Sequence, residues 1–502
     1  VKKMSKDVFF IDTTTRDGSQ SNWAAGMPLG MMDAIMDDVN KVGYRAIDCP
    51  ITPLIFKKAV RDLKEDPWEM IRMFGRKGPD VIKGSMLAPG IRPFDTGNDN
   101  REVIQLFYKL LVDMGALQRV QLASNVLDSM RSETWFVPFI KKLGLEFVYA
   151  VCYYISPRHT DEFYIRKIKE AVDMGADVIY LKDAGGLLDV ESTRRVFSLM
   201  KEYGGGLPLE IHSHCTTGMA DAVYAEAMKL GCQSFHVATP PLAEGTAQPS
   251  VFNTVENAKA LGYNANLDME RVERISKRLY AMAKEAGLPT FGPTRFKVAQ
   301  YIHRIPGGVI SNLVHQLKSL HIEDRLDEVV EECVRICAET GEPHMITPYS
   351  QFVCTQAAIN IALGERYKVV IDDFIRYALG IYGEDSGYRE MDQNLKEKFV
   401  SMPRASEIME ANERRAEQQD RPMKEIRNEF GENLSDEEFI LRYVLKGTEE
   451  IAAMREATKD YPFRRFSCLD SPVTDLIDEL GKRPGITQVQ IQYKGKSLVL
   501  KK

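Results

Sequence analysis

Residues 178–214 read VIYLKDAGGLLDVESTRRVFSLMKEYGGGLPLEIHSH, and the fold turns on this stretch. Residues 178–183 are a short β-rich run ending in Lys182-Asp183. Val190–Tyr203 carries apolar residues at helical spacing with a polar opposite face, and residues 208–214 form a second β-rich run ending in His212-Ser-His214. A strand, a helix and a strand in that order make one β-α-β unit, which sets two parallel strands side by side. Working outward, the same unit recurs. Further strand candidates fall at 8–14, 45–50, 81–87, 118–124, 146–154 and 233–239, separated by helical patterns such as Leu29–Val42, Glu102–Met114 and Asp161–Met174. Eight β-α units favour closure into a (β/α)8 TIM barrel over an open doubly wound sheet. No glycine-rich dinucleotide fingerprint follows the first strand, which weakens the open-sheet alternative.

From about residue 300 the strand signal fades. Arg325–Thr340, Gln351–Leu363 and Val369–Leu379 read as helices, and residues 405–436, rich in Glu, Arg, Asn and Gln, read as solvated helices or a flexible crossing. The last stretch, GITQVQIQYKGKSLVLKK, has strand-like alternation with a turn at Tyr493–Gly495 and follows a short helix at Val473–Leu480. The expected organisation is therefore an α/β barrel over 1–300, a mostly helical domain over 301–465 and a small β docking or assembly element over 466–502.

Bulk properties narrow the function. With 502 residues, 44% hydrophobic, 27% charged and a net charge of -6, the chain reads as a soluble globular enzyme. An acidic balance gives no electrostatic footprint for nucleic acid or an anionic membrane. No apolar run is long enough to span a bilayer, and VKKMSKDVFFID lacks the apolar core of a signal peptide, so a cytoplasmic location is expected. The eight cysteines show no zinc-ribbon or redox spacing and are read as reduced thiols.

In such a barrel the C-terminal strand ends gather at one mouth, where chemistry sits. Asp12-Thr-Thr-Thr-Arg16-Asp17-Gly-Ser-Gln20 follows strand one, Lys182-Asp183 ends strand six, and His212-Ser-His214 ends strand seven. Histidines two apart on a strand share a face, so both imidazoles can reach one ion, and Asp17 adds an oxygen. Two nitrogens and one oxygen suit Zn²⁺ or a similar divalent metal. A single inward histidine is usually a satisfied core residue; the coincidence of Asp17, Lys182, His212 and His214 at strand ends is what points to a metal. An ammonium cannot bind a cation, so Lys182 is either deprotonated, directed elsewhere, or carbamylated into an anionic ligand.

These same motifs, Asp12–Gln20, Tyr180–Asp183 and His212–Gly218, resemble those of the biotin-dependent carboxyltransferases: the transcarboxylase carboxyltransferase subunit, the oxaloacetate decarboxylase alpha subunit and the pyruvate carboxylase central domain. Glu65–Glu69, Cys152–Thr160, Ile305–Asn312 and Ile346–Pro348 extend the resemblance, in order, through most of the chain. It implies a divalent metal, zinc before manganese or cobalt, held by Asp17, carbamylated Lys182, His212 and His214. It implies catalytic roles for Arg16, Lys182 and Thr347, the last a hydroxyl passing a proton between substrate and biotin. It assigns substrate contacts to Arg16, Gln20 and the position of Ala88.

The chain departs from the family at the pocket. Pyruvate-using relatives carry an arginine where Ala88 stands and an acid where Leu122 stands. Ser19 replaces a histidine of the first motif, and Val237-Ala-Thr-Pro-Pro241 replaces a serine-rich segment. Losing that arginine removes charge-assisted hydrogen bonds worth roughly 1.5–3 kcal/mol each, which Arg92 or Arg158 could supply instead. No biotin-attachment lysine is evident, since Ala227-Met-Lys229-Leu falls in a predicted helix within the barrel. Biotin is therefore expected on a separate carrier protein, with a biotin carboxylase subunit as second partner, a small acid as substrate, and a homodimer as the assembly. Two other readings stand beside this one: a metal-dependent aldolase or lyase of the same barrel superfamily, acting on a 2-oxo or acyl-CoA substrate, and a non-catalytic scaffold.

Overall fold

The computed structural model describes residues 6–87, 90, 99–124, 135–319, 321–431, 433–445, 447–466, 488–493 and 496–501. Eight parallel strands close into a barrel: β1 Asp7–Asp12, β2 Ala46–Asp48, β3 Ile82–Met86, β4 Arg119–Ala123, β5 Glu146–Cys152, β6 Val178–Asp183, β7 Leu209–Ser213 and β8 Ser234–Val237. Each strand pairs with the next, and β1 closes the ring by pairing with both β8 and β2. A two-residue strand, Asn264–Ala265, adds to the start of β1. All eight expected strands are present. Most are shorter than the sequence suggests, β2 by half; β1 and β8 stop early because after Asp12 the chain tightens into a helical turn over Thr14–Gly18 and after Val237 it enters a loop.

Burial on both faces explains why these strands read as nearly continuous apolar runs. The polar residues interrupt the runs with period two, so they share one face. Contacts identify that face as the interior. Arg119 of β4 pairs with Glu210 of β7 at 3.1 Å, and these strands are not neighbours in the sheet, so the pair crosses the barrel lumen. Helices cover the outside and start on side-chain caps. Asn100 accepts from Val103 N and Thr160 from Phe163 N, while Asp189 and Ser192 form a capping box. Val190–Tyr203 matches its expected bounds, whereas the helix expected over Leu29–Val42 ends at Val39.

Beyond the barrel come helices Leu326–Glu339, Tyr349–Leu363 and Asp372–Ala378, close to the expected spans, and before them a helix at Gly307–Ser319 that the sequence reading did not name. Residues 405–436 are no loose crossing. Helices Pro403–Gln418 and Met423–Phe430 are joined by a turn that docks on the start of helix Arg101–Asp113. There Asn100 Nδ2 donates to the carbonyls of Gln419 and Arg421 at 3.0 and 2.8 Å, and Met423 N donates to Glu102 at 2.8 Å. One hydrophobic core runs from the barrel into this region, from Phe10 and Ile47 to Phe439 and Val444. Gln488–Tyr493 and Lys496–Lys501 form the expected antiparallel pair, while the helix expected at 473–480 and the turn residues 494–495 lie outside the described residues. Among the described residues no helix is long and apolar enough to cross a membrane.

Candidate metal centre at the barrel mouth

Three sequence-predicted ligands converge. Asp17 rides on the turn after β1, His212 lies in β7, and His214 follows it; all are buried, with donor atoms within 4.8 Å of one another. Asp17 Oδ2 is 2.9 Å from His212 Nε2 and 3.6 Å from His214 Nε2, and the two Nε2 atoms are 3.2 Å apart. Donors about 2.0–2.1 Å from a tetrahedral zinc ion would stand roughly 3.3 Å apart, so the set fits a divalent ion. The far nitrogens agree. His214 Nδ1 donates to the Thr246 carbonyl at 2.6 Å, which leaves its Nε2 lone pair for the cluster.

Electrostatics prepares the same donors. Burial pushes both histidines below their ordinary range, well below it for His212, so both rings are neutral lone-pair donors near pH 7. Burial alone would raise the Asp17 carboxyl, but the Arg16 guanidinium beside it holds it well below the carboxylate range. Lys182 Nζ lies 3.5 Å from His212 Nε2, on the next strand in register with it. Burial lowers its ammonium, against the pull of Asp17. Asp183 does not pair with it: its oxygens accept from Leu187 N at 2.8 Å, Leu188 N at 2.9 Å and Ser213 Oγ at 2.8 Å.

The other predicted residues are placed less uniformly. Arg16 is buried against Asp48, with Nε 2.7 Å from Oδ2, and its Nη1 is 3.6 Å from Asp17. Gln20 is half-buried on the following short helix, and Thr347 is exposed just before helix Tyr349–Leu363. Ala88 and Arg92 lie outside the described residues. Arg158 is engaged elsewhere: its Nη1 donates to the carbonyls of Gly341 and Glu342 at 3.3 and 3.2 Å, so it ties the loop after β5 to the end of helix Leu326–Glu339. Sequence reading missed Gln248, whose Nε2 is 3.2 Å from each histidine Nε2 and 3.3 Å from Asp17, with Thr13 donating to its carbonyl oxygen at 2.8 Å. Gln248 comes from the loop after β8, where alternation carries no information about direction. Asp48, Glu210 and His236 were also missed, although the inward phase of β7, read two residues back from His212, leads to Glu210.

A closed barrel with a carboxylate and two imidazoles converging at its C-terminal mouth defines a barrel enzyme built for a divalent metal. The comparisons sharpen that class. Residues 301–468 match the conserved carboxylase domain and residues 116–279 the HMGL-like family. The chain is 31% identical over 384 residues to a pyruvate carboxylase subunit of Methanocaldococcus jannaschii, covering 75% of this chain and 66% of that one. It is 30% identical over 389 residues to the methylmalonyl-CoA carboxyltransferase 5S subunit of Propionibacterium freudenreichii, covering 77% and 75%. To the 2-oxoglutarate carboxylase large subunit of Hydrogenobacter thermophilus it is 27% identical over 512 residues, covering 99% and 76%. The carboxyl transferase domain of Rhizobium etli pyruvate carboxylase superposes with a TM-score of 0.77 at 22% identity, covering 99% of this chain and 84% of that one, which establishes the shared fold. The chain belongs to the biotin-dependent carboxyltransferase family, whose members move a carboxyl group between carboxybiotin and an acceptor acid.

Proposed function

We propose that this chain is the carboxyltransferase component of a carboxylase whose biotin rides on a separate carrier protein, and that its acceptor is a 2-oxo acid larger than pyruvate. The observation that carries the reading is the Asp17–His212–His214 cluster. Zinc is the ion we assign, held by these three residues and by Lys182 as a carbamate. When bound, the ion supplies Lewis-acid polarisation of the acceptor's carbonyl, which eases loss of the neighbouring proton. Lys182 supports the carbamate because burial favours its neutral amine, the form that adds carbon dioxide and releases a proton. The Thr347 hydroxyl, donor and acceptor at once, passes a proton between C3 of the acceptor, the carbon next to its oxo group, and the biotin nitrogen that gives up its carboxyl group. Arg16, paired with Asp48 and Asp17, and Gln20 hold the acceptor beside biotin.

Support for a larger acceptor comes from Ala88, where the pyruvate-using pattern has an arginine, and from the relative named for 2-oxoglutarate, which aligns over nearly the whole chain. Leu122 lends none, because Arg119 sets the inward phase of β4 and Leu122, out of phase with it, packs in the hydrophobic core. Buried Tyr180 Oη, on β6 two residues before Lys182, has no hydrogen-bond partner among the described residues, and a phenol can donate to an anionic acceptor. Oxalosuccinate, carboxylated 2-oxoglutarate, should therefore lose carbon dioxide faster than oxaloacetate in the presence of free biotin, and Ala88→Arg should narrow the gap. Oxaloacetate as the faster substrate would overturn this acceptor. The partner reading has its own test. Purification of the chain from its own cells, probed with streptavidin, should bring down a biotinylated polypeptide, and a clean preparation without one would overturn biotin supplied in trans. The assembly we assign is a homodimer, with the helical region from 301 to 465 completing the funnel to the site.

A further inference from the structure

We propose that His236 and Glu210, in the barrel interior beneath the metal centre, form a positioning pair that fixes the proton of His212 on Nδ1 and so turns its bare Nε2 toward the ion. The proposal rests on the metal reading above. His214 and His212 solve the same problem differently. A ligating imidazole needs its outer nitrogen to carry the proton, and His214 satisfies this with one backbone carbonyl. The outer nitrogen of His212 meets another imidazole instead, His236 Nδ1 at 3.2 Å. Two ring nitrogens at that distance bond only if one is N–H and the other bare. That contact by itself leaves open which of them carries the proton.

The choice is made one residue further down. His236 Nε2 faces Glu210 Oε2 at 3.4 Å, and Glu210 is a fully buried carboxylate held by both Arg119 Nη atoms, one at 3.1 Å. A carboxylate in an ion pair only accepts, so His236 carries its proton on Nε2. His212 can ligate through Nε2 only with its own proton on Nδ1, and that proton needs a bare nitrogen facing it. His236 Nδ1 is therefore bare and accepts from His212 Nδ1–H, which leaves His212 Nε2 as a lone pair beside Asp17 and His214. Tyr180 stacks on the His236 ring, with centroids 5.2 Å apart and planes 16° apart, and so holds its orientation. Arg119, Glu210, His236 and His212 thus form one chain of contacts running up the barrel interior to the ion. Glu210 reaches the cluster only through His236, and His236 meets it only at the outer nitrogen of His212.

The test is the zinc dissociation constant of the full chain, by chelator competition, with the melting temperature of each metal-free variant measured alongside. His236→Phe keeps the ring and removes the acceptor, and should weaken zinc binding about 10- to 100-fold. His236→Asn can place an amide oxygen where Nδ1 lies and should recover most of that loss. Glu210→Gln can donate to His236 Nε2, reversing the proton order, and should weaken zinc although it makes no contact with the site. Wild-type affinity in both His236→Phe and Glu210→Gln would overturn the pair, as would an Asn variant that melts like wild type and binds no better than Phe. Should His236→Phe not fold, Asn and Gln variants carry the comparison: tight binding by both Asn and wild type with loss in Glu210→Gln supports it, and unchanged binding in Glu210→Gln overturns it. A wild-type chain that takes up no zinc would instead remove the metal reading itself.

Discussion

His212 and His214 were legible as a pair because residues two apart at a strand end share a face, and Asp17 joined them because barrel topology brings the segment after β1 to the same mouth. The metal site is also where a single side chain matters most. Purified wild-type protein should carry about one divalent ion per chain, and His212→Ala combined with His214→Ala should carry none, as read by elemental analysis. Equal metal content in the two would contradict the site. A crystal structure of the metal-loaded protein should show density beyond Lys182 Nζ continuing toward the ion. An unmodified ammonium there, with the ion bound without it, would contradict the carbamate. Gln248 was not legible. Its approach depends on how the loop after β8 folds back over the mouth, and an amide in a loop has no sequence pattern of its own.

Elements around the mouth are set by close packing that favours particular glycines. Gly307 starts a helix against the loop after β8, and a Cβ built there would lie 2.2 Å from Thr246 Cγ2 and 2.6 Å from its Cβ. Thr246 has little room to yield, because its hydroxyl donates to Ser21 O at 2.9 Å and its carbonyl holds His214. Gly307→Ala should therefore cost about 1–3 kcal/mol of stability and loosen metal binding, measured by urea unfolding and chelator competition. Stability and affinity both at wild-type values would show that the packing relaxes freely. This contact was visible in sequence only as Ile305-Pro-Gly-Gly308, a family-like motif without a stated physical reason. Residues 405–436 were half legible: their charge reads rightly as solvated helices, whereas the backbone carbonyls of Gln419 and Arg421, which fasten them to the barrel's helical shell, are not revealed by composition.

Across the whole molecule, the barrel and the later helices share one core, and the seam beside the loop after β5 contains two buried histidines. Burial, with Arg158 nearby, pushes His344 down to about 3, and burial with His344 and Arg158 holds His159 well below its ordinary value. The unfolded chain binds protons at these rings near pH 6.5 while the folded chain does not. Their contribution to stability is thus complete above about 6.5 and is lost as pH falls from there toward about 3. The urea midpoint should fall between pH 7.5 and 5.5, and His344→Phe, which can keep the stack on Tyr154 at a 4.8 Å centroid distance, should fall less. An identical drop in both proteins would contradict the assignment. The eight-strand count and the helical region after it were legible because each β-α unit repeats one pattern. The seam was not, because it joins residues such as Arg158 and Gly341 that are far apart in sequence.

Carboxyl transfer through biotin is tested most directly by the rate at which the metal-loaded chain releases carbon dioxide from oxaloacetate and oxalosuccinate, with and without free biotin. Biotin should accelerate at least one of the two, and Thr347→Ala should abolish that acceleration while keeping its metal. Rates indifferent to biotin for both acids, or undiminished acceleration in Thr347→Ala, would contradict the mechanism proposed for this site.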